Sequence, residues 1–176
     1  MSFFWMGQGG FKMTKRVSKN LERAFKKFPS LWKKALNDAG DIALKYYDKQ
    51  FKSEGAAFGS KWKRLSESTK ADRVRKGYKP SGPILVRRGW LRASVASKTS
   101  AHAKRVVNRK GIVMYSTLKT KSGLNLLALH QEGGKNRPQR KIYKDGDPPF
   151  ISTKGWKEIK VRFIGMFVQI RRGLEK

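Results

Sequence analysis

Arginine and lysine are the residues of this sequence best placed to do chemistry, and the chemistry open to them is the binding of anions. Arg73, Arg75, Lys76, Lys79, Arg87, Arg88 and Arg92 fall close together in the chain. A guanidinium presents its N–H donors as a planar fork and an ammonium is a compact point charge, so such a patch suits phosphate or carboxylate. The surrounding stretch, residues 61–110, holds 16 basic residues against 2 acidic ones. The whole chain has 42 Lys and Arg against 12 Asp and Glu, a net charge of +30 over 176 residues. A field of that strength opposes self-association in free solution and draws in nucleic acid, anionic membrane or an acidic protein surface.

Other chemistry finds few residues to work with. There is no cysteine, which excludes disulfides, thiolate metal sites and a cysteine nucleophile. His102 and His130 are the two histidines, and neither stands in a metal-ligand spacing such as His-Glu-x-x-His. Neither the Gly-x-Ser-x-Gly elbow nor the phosphate-cradling Gly-x-x-x-x-Gly-Lys loop is present. Asp145-Gly146-Asp147 begins like a calcium loop, but the remaining ligands do not follow, so it reads as a turn. The acids are scattered and nominate no pair for acid–base catalysis. His130, in Leu129-His130-Gln131-Glu132-Gly133 where an apolar run ends, reads as a residue that ties down a turn or an interface. The expectation is therefore a protein that is not an enzyme, with no catalytic, cofactor or metal site. No apolar run reaches the length needed to span a bilayer, and Met1 to Met6 is too short for a signal segment and lacks a basic flank. No membrane partner is expected, and synthesis and use in the cytoplasm are.

The elements that must position the basic patch follow from hydrophobic spacing. Gly7 to Gly10 sets off an apolar tip, Phe3-Phe4-Trp5, as a flexible arm over residues 1–13. Residues 14–176 then form one domain. Thr14 is a candidate cap for a helix carrying Val17, Leu21, Ala24, Phe25 and Phe28. Pro29-Ser30 is expected to interrupt it, with Ser30 capping a second helix. There Trp32, Ala35, Leu36, Ala39, Ile42, Ala43, Tyr46 and Tyr47 trace one apolar stripe that ends near Ser53 to Gly55. A short basic helix is expected over 68–77, a loop over 78–83, and the start of a strand at Leu91 to Lys98. Arg105-Val106-Val107 and Ile112-Val113-Met114-Tyr115 flank an Asn108…Gly111 turn, which predicts an antiparallel hairpin. Leu124 to Leu129 predicts a short helix. Trp156, Ile159, Phe163, Met166, Phe167, Ile170 and Leu174, at spacings of three and four, predict a closing helix capped by Ser152 or Thr153. Strands that cluster rather than alternate with helices define an α+β fold, with a long N-terminal helix and a C-terminal helix packed on a small antiparallel sheet, and extended loops.

Four loop motifs then fall in register. Gly59-Ser60-Lys61-Trp62 with Leu65 and Thr69-Lys70, then Leu85, Gly89, Leu91 and Ser94, then His130-Gln131-Glu132-Gly133, and last Pro148-Pro149-Phe150-Ile151, together resemble the phage virion morphogenesis family over roughly residues 30–175. An arginine that the family carries before the Pro-Phe pair is absent here, and the stretch from Tyr115 to Leu129 is longer than the family's. The resemblance implies a structural tail completion or head–tail joining protein, a ring of often six copies between connector and tail tube, assembled in the host cytoplasm into the virion. Under it, Phe3, Phe4, Trp5, Trp62, His130 and Phe150 become candidate contacts with neighbouring subunits or partners. So do Arg73, Arg75, Lys76, Arg87, Arg88 and Arg92, which would meet acidic surfaces of adjoining rings or, non-specifically, packaged DNA. The competing class is a free-standing, sequence-independent nucleic-acid-binding protein, for which charge speaks but no zinc finger or RNA-recognition motif does.

Overall fold

The computed structural model describes residues 15–135, 137–143 and 153–174. The arm with Phe3, Phe4 and Trp5, the caps proposed at Thr14 and Ser152, the Asp145-Gly146-Asp147 turn and Phe150 lie outside the described residues.

One helix, α1 (Lys15–Lys52), carries both of the apolar patterns expected to belong to separate helices, and Pro29 lies inside it. At 38 residues and about 1.5 Å per residue it spans about 57 Å. Pro29 has no N–H to give to the Phe25 carbonyl, but residues 25–30 are all exposed, so water can satisfy that oxygen. Ser30 does not cap a new helix; its hydroxyl donates to the Lys27 carbonyl at 2.8 Å. Phe28 and Trp32 stack across the proline with centroids 6.1 Å apart. Beyond it, Ala35, Leu36, Ala39, Ala43, Leu44, Tyr46, Tyr47 and Phe51 are buried along one side.

Against that side lies the closing helix, α5 (Thr153–Leu174), running in the opposite sense. Tyr46 donates its hydroxyl proton to Glu158 at 2.7 Å, and further along Trp32 meets Phe163 edge-on at 5.3 Å. The hairpin formed by β1 (Ala103–Asn108) and β2 (Gly111–Ser116) follows the expected register, Val106 opposite Val113 and Asn108 opposite Gly111. Asn108 Oδ1 closes the turn by accepting from the backbone N–H groups of Lys110 and Gly111 at 2.9 and 3.0 Å. The hairpin rests directly on the α1 backbone: a Cβ at Gly40 would stand 2.5 Å from Ile112 Cδ1. Arg105 fastens the contact with an ion pair to Asp41 at 2.7 Å and a hydrogen bond to the Asn37 carbonyl.

Three short helices complete the described elements. α2 (Glu67–Arg75) is capped by Ser66, whose Oγ accepts from the Thr69 N–H. Leu91 to Lys98 does not begin a strand: Trp90–Ala96 is helix α3. Leu91, Ser94 and Val95 recur at helical spacing and all three are buried, so a strand would turn part of that set outward. The Ser94 hydroxyl donates to the Leu91 carbonyl and accepts from Ser116 Oγ, each at 2.8 Å. α4 (Leu126–Glu132) is capped by Asn125, whose Oδ1 accepts from the N–H groups of Leu127 and Ala128. The described elements, five helices and a two-stranded antiparallel sheet, make an α+β fold. Its core sits at the C-terminal half of α1, where Phe51 meets Trp62 at 5.5 Å, Tyr47 meets Tyr143 at 4.9 Å, and Ile142 is fully enclosed.

Candidate functional site

Arg73 begins the site. It projects from α2 and is only 5% exposed, because its two terminal nitrogens donate to the carbonyls of Gly82 and Pro83 at 2.7 and 2.9 Å. This clamp folds the proline- and glycine-bearing 78–83 loop back onto α2 and delivers Leu85 and Arg87 beside Arg73. Leu85 takes a left-handed backbone, φ 61°, an uncommon and strained state for a side chain of that size.

The opposite wall is built at the end of α4. Gly133 has φ 77°, and a Cβ there would approach the Gln139 backbone to 2.9 Å, so the chain returns tightly over the helix end. Gly134 and Arg137 exchange both backbone hydrogen bonds at 2.9 and 3.0 Å. The Arg140 N–H then reaches the His130 carbonyl at 2.8 Å. Gln131 holds the returning strand as a neighbouring strand would: its Oε1 accepts from the N–H groups of Ile142 and Tyr143 at 2.8 and 3.0 Å, and its Nε2 donates to the Tyr143 carbonyl. Arg140 is 7% exposed as a result.

Between these walls lies an open groove of about 820 Å³. Lys63, Arg64, Arg73, Arg87, Lys135, Arg137 and Arg140 line it together with the hydroxyls of Ser66 and Thr69, the His130 ring, and aliphatic Leu65, Leu85 and Pro138, and Arg140 Nη2 donates to the Lys63 carbonyl at 3.4 Å. None of its described lining residues is acidic. The like charges strain one another. Burial, then Arg87, lowers the pKa of Arg73, with Glu54 behind it acting the other way. Burial, then Arg73, lowers that of Arg140. Burial and the cations of Arg140 and Arg137 push His130 down to about 4, so its ring is neutral at pH 7. The buried Nε of Arg140 and Nδ1 of His130 find no hydrogen-bond partner among the described residues. Such an arrangement is electrostatically suited to hold anions. Its described lining includes no carboxylate to act as a base, and Ser66 and Thr69 bond each other at 2.9 Å rather than a histidine. Among the described residues no group of three metal-binding side chains occurs and no helix is long and apolar enough to cross a membrane.

Against protein-family models, curated proteins and solved structures, the chain finds no match. The site therefore has to be read from its own geometry.

That geometry divides the expected contact residues. Arg73, Arg87 and His130 converge on the groove. Arg75, the last residue of α2, and Lys76, its C-cap, stand beside it, where both pair with Asp72 at 2.7 Å, and Arg87 joins them at 3.3 Å. Lys76 and then Arg75 draw the Asp72 pKa down to about 2, so one carboxylate holds three cations in place. Arg88 points away, donating to the Tyr78 hydroxyl and lying over the Trp90 ring. Arg92 is turned inward to Asp48, whose Oδ1 it grips with two nitrogens at 2.6 and 2.8 Å. Trp62 is in the core, 6% exposed, with Nε1 bonded to the Lys141 carbonyl at 3.1 Å; a ring so enclosed has little surface left for a partner. The sequence reading missed Arg137, Arg140, Lys63 and Gln131. Arg137 and Arg140 sit in a basic, turn-rich stretch, but their approach to Arg73 depends on the return over Gly133, which no local pattern encodes.

Proposed function

We propose that this chain is a structural, non-enzymatic subunit of a tailed bacteriophage particle, assembling into a ring at the neck or tail as a tail completion or head–tail joining protein. The loop motifs quoted above motivate the phage assignment. The structural observation that carries the assembly reading is a pair of uncovered apolar patches on different elements. On α5, Ile159, Phe163 and Met166 face α1, whereas Val161, Ile164 and Val168 lie on the opposite side and are 64, 61 and 41% exposed. On the hairpin, Val106, Val113 and Tyr115 are likewise exposed. Each large apolar side chain left in water forfeits about 1.5–3 kcal/mol that burial would return. A ring closed by rotation needs two different complementary surfaces on every copy, and two such patches are present.

Six copies is the expected ring order, with connector and tail-tube proteins above and below, and the cationic surface turned to acidic neighbours or to DNA. Electron microscopy of the purified protein at high concentration, and of particles that contain it, tests the reading: closed rings in both are expected. A chain that remains monomeric at every concentration and is missing from finished particles would refute it. The second reading, a free nucleic-acid-binding protein, draws on the charge alone and predicts salt-sensitive binding of naked DNA by the monomer.

A further inference from the structure

The cationic groove holds more hydrogen-bonding capacity than the chain itself uses. Arg73 and Arg140 are each more than nine-tenths buried, yet both line an open groove whose described lining holds no acid, Glu54 acting on Arg73 only from behind it. Arg140 Nε and His130 Nδ1, both enclosed, have no partner among the described residues. Burying a charge without an opposite one is costly, and here several like charges converge. An incoming anion relieves that repulsion.

The shape of the groove says which anion. Its cations share the lining with Leu65, Leu85 and Pro138, a mixture that suits slim carboxylate side chains carried on a peptide with aliphatic neighbours. Among its described lining residues there is no Phe, Tyr or Trp on which a base could stack, and the one imidazole, His130, is half-buried; a recessed cleft does not meet the convex backbone of a duplex. A second copy is a poor donor, having 12 acids against 42 basic residues. We propose that this groove is a docking site for an acidic peptide segment of a different protein, whose carboxylates pair with Arg73, Arg87, Arg137 and Arg140. The site deepens the assembly reading and rests on it only for the origin of that segment, a neighbouring particle protein.

The test uses the full chain and a fluorescein-labelled decapeptide of alternating Glu and Leu, followed by anisotropy, with a single-stranded oligothymidine of matched charge in parallel. Arg87 and Arg137 are exposed, so the double variant Arg87→Glu/Arg137→Glu retains the fold, which circular dichroism checks. Peptide affinity should fall at least about tenfold in that variant and stay within about twofold in Lys110→Glu, on the distant hairpin turn. The His130 ring resonances should shift when peptide, but not oligonucleotide, is added. Equal peptide binding by the two variants would overturn the site, as would an oligonucleotide affinity that depends on Arg87 and Arg137 while the peptide is ignored. Rings that form normally from a chain that binds no peptide would discard the groove and leave the assembly reading standing. Peptide bound at His130 by a chain that never forms rings would do the reverse.

Discussion

Protonating His130 means placing another positive charge beside Arg140 and Arg137 in a half-buried ring, and the structure resists it by holding the ring's pKa near 4 instead of the usual 6.5. In the unfolded chain the same ring takes up its proton near 6.5. Below that pH the unfolded state binds more protons than the folded one, so stability falls as pH drops. The contribution is fully present above pH 6.5, is lost progressively down to about 4, and amounts to on the order of 2 kcal/mol once partial exposure of the ring is allowed for. Urea unfolding at pH 7 and at pH 4 should show that loss in the native chain, and a clearly smaller one in His130→Asn; equal losses would contradict the assignment. Gln131 acts at the same scale. Its amide makes three hydrogen bonds to residues 142 and 143, so Gln131→Ala should cost about 2–3 kcal/mol. The Ile142 and Tyr143 amides should be among those that lose protection from hydrogen exchange, because their acceptor is gone.

At the scale of elements the informative position is Pro29. A proline inside a helix costs about 3 kcal/mol relative to alanine, partly offset because it also restricts the unfolded chain. Pro29→Ala should therefore raise the stability of the chain by about 1–2 kcal/mol, seen as a higher thermal midpoint. No change or a loss would mean that α1 does not run through this position. The proline also shows why some elements were legible in the sequence and others were not. Val17 to Phe51 announces helix by its spacing, but whether Pro29 splits it depends on solvent reaching the freed carbonyl and on the Phe28–Trp32 stack, which are tertiary facts. The hairpin was legible because Asn108 and Gly111 encode their own turn. α3 was not: its seven residues are too few for periodicity to outweigh a strand reading, and burial against α1 and Ser116 decides the matter. The same limit applies to the groove. Arg73 and Arg87 stand out as basic residues, but Arg140 joins them from far along the chain, brought there by the turn at Gly133, its own bond to the His130 carbonyl and the side chain of Gln131. Among the aromatics, Trp62 looked like a partner residue because of its motif, whereas its indole N–H finds its acceptor inside the chain at Lys141.

For the whole molecule two opposed forces set the state of association. A net charge of +30 drives copies apart, while the α5 stripe and the hairpin's outer face favour contact. Salt shortens the reach of the first, from a Debye length of about 30 Å at 0.01 M to about 8 Å at physiological strength, and leaves the second nearly untouched. Self-assembly should therefore increase with sodium chloride, whereas nucleic-acid binding by a free monomer would decrease. The two patches also predict a pattern no single-patch dimer can give. If each junction joins the α5 stripe of one copy to the hairpin of the next, Ile164→Asp/Val168→Asp removes one half of it and Val106→Lys/Val113→Lys the other. Each variant alone lacks a complete junction and should sediment as a monomer. Mixed in equal amounts they retain one intact pairing per couple, stripe from the hairpin variant and hairpin from the stripe variant, so the mixture should stop at a dimer and form no ring. Ring formation by either variant alone would rule out this junction, and a mixture that stays monomeric would show that the patches do not face each other. The dimer, stable at high salt and absent from both separate samples, is the outcome that a head-to-tail ring requires.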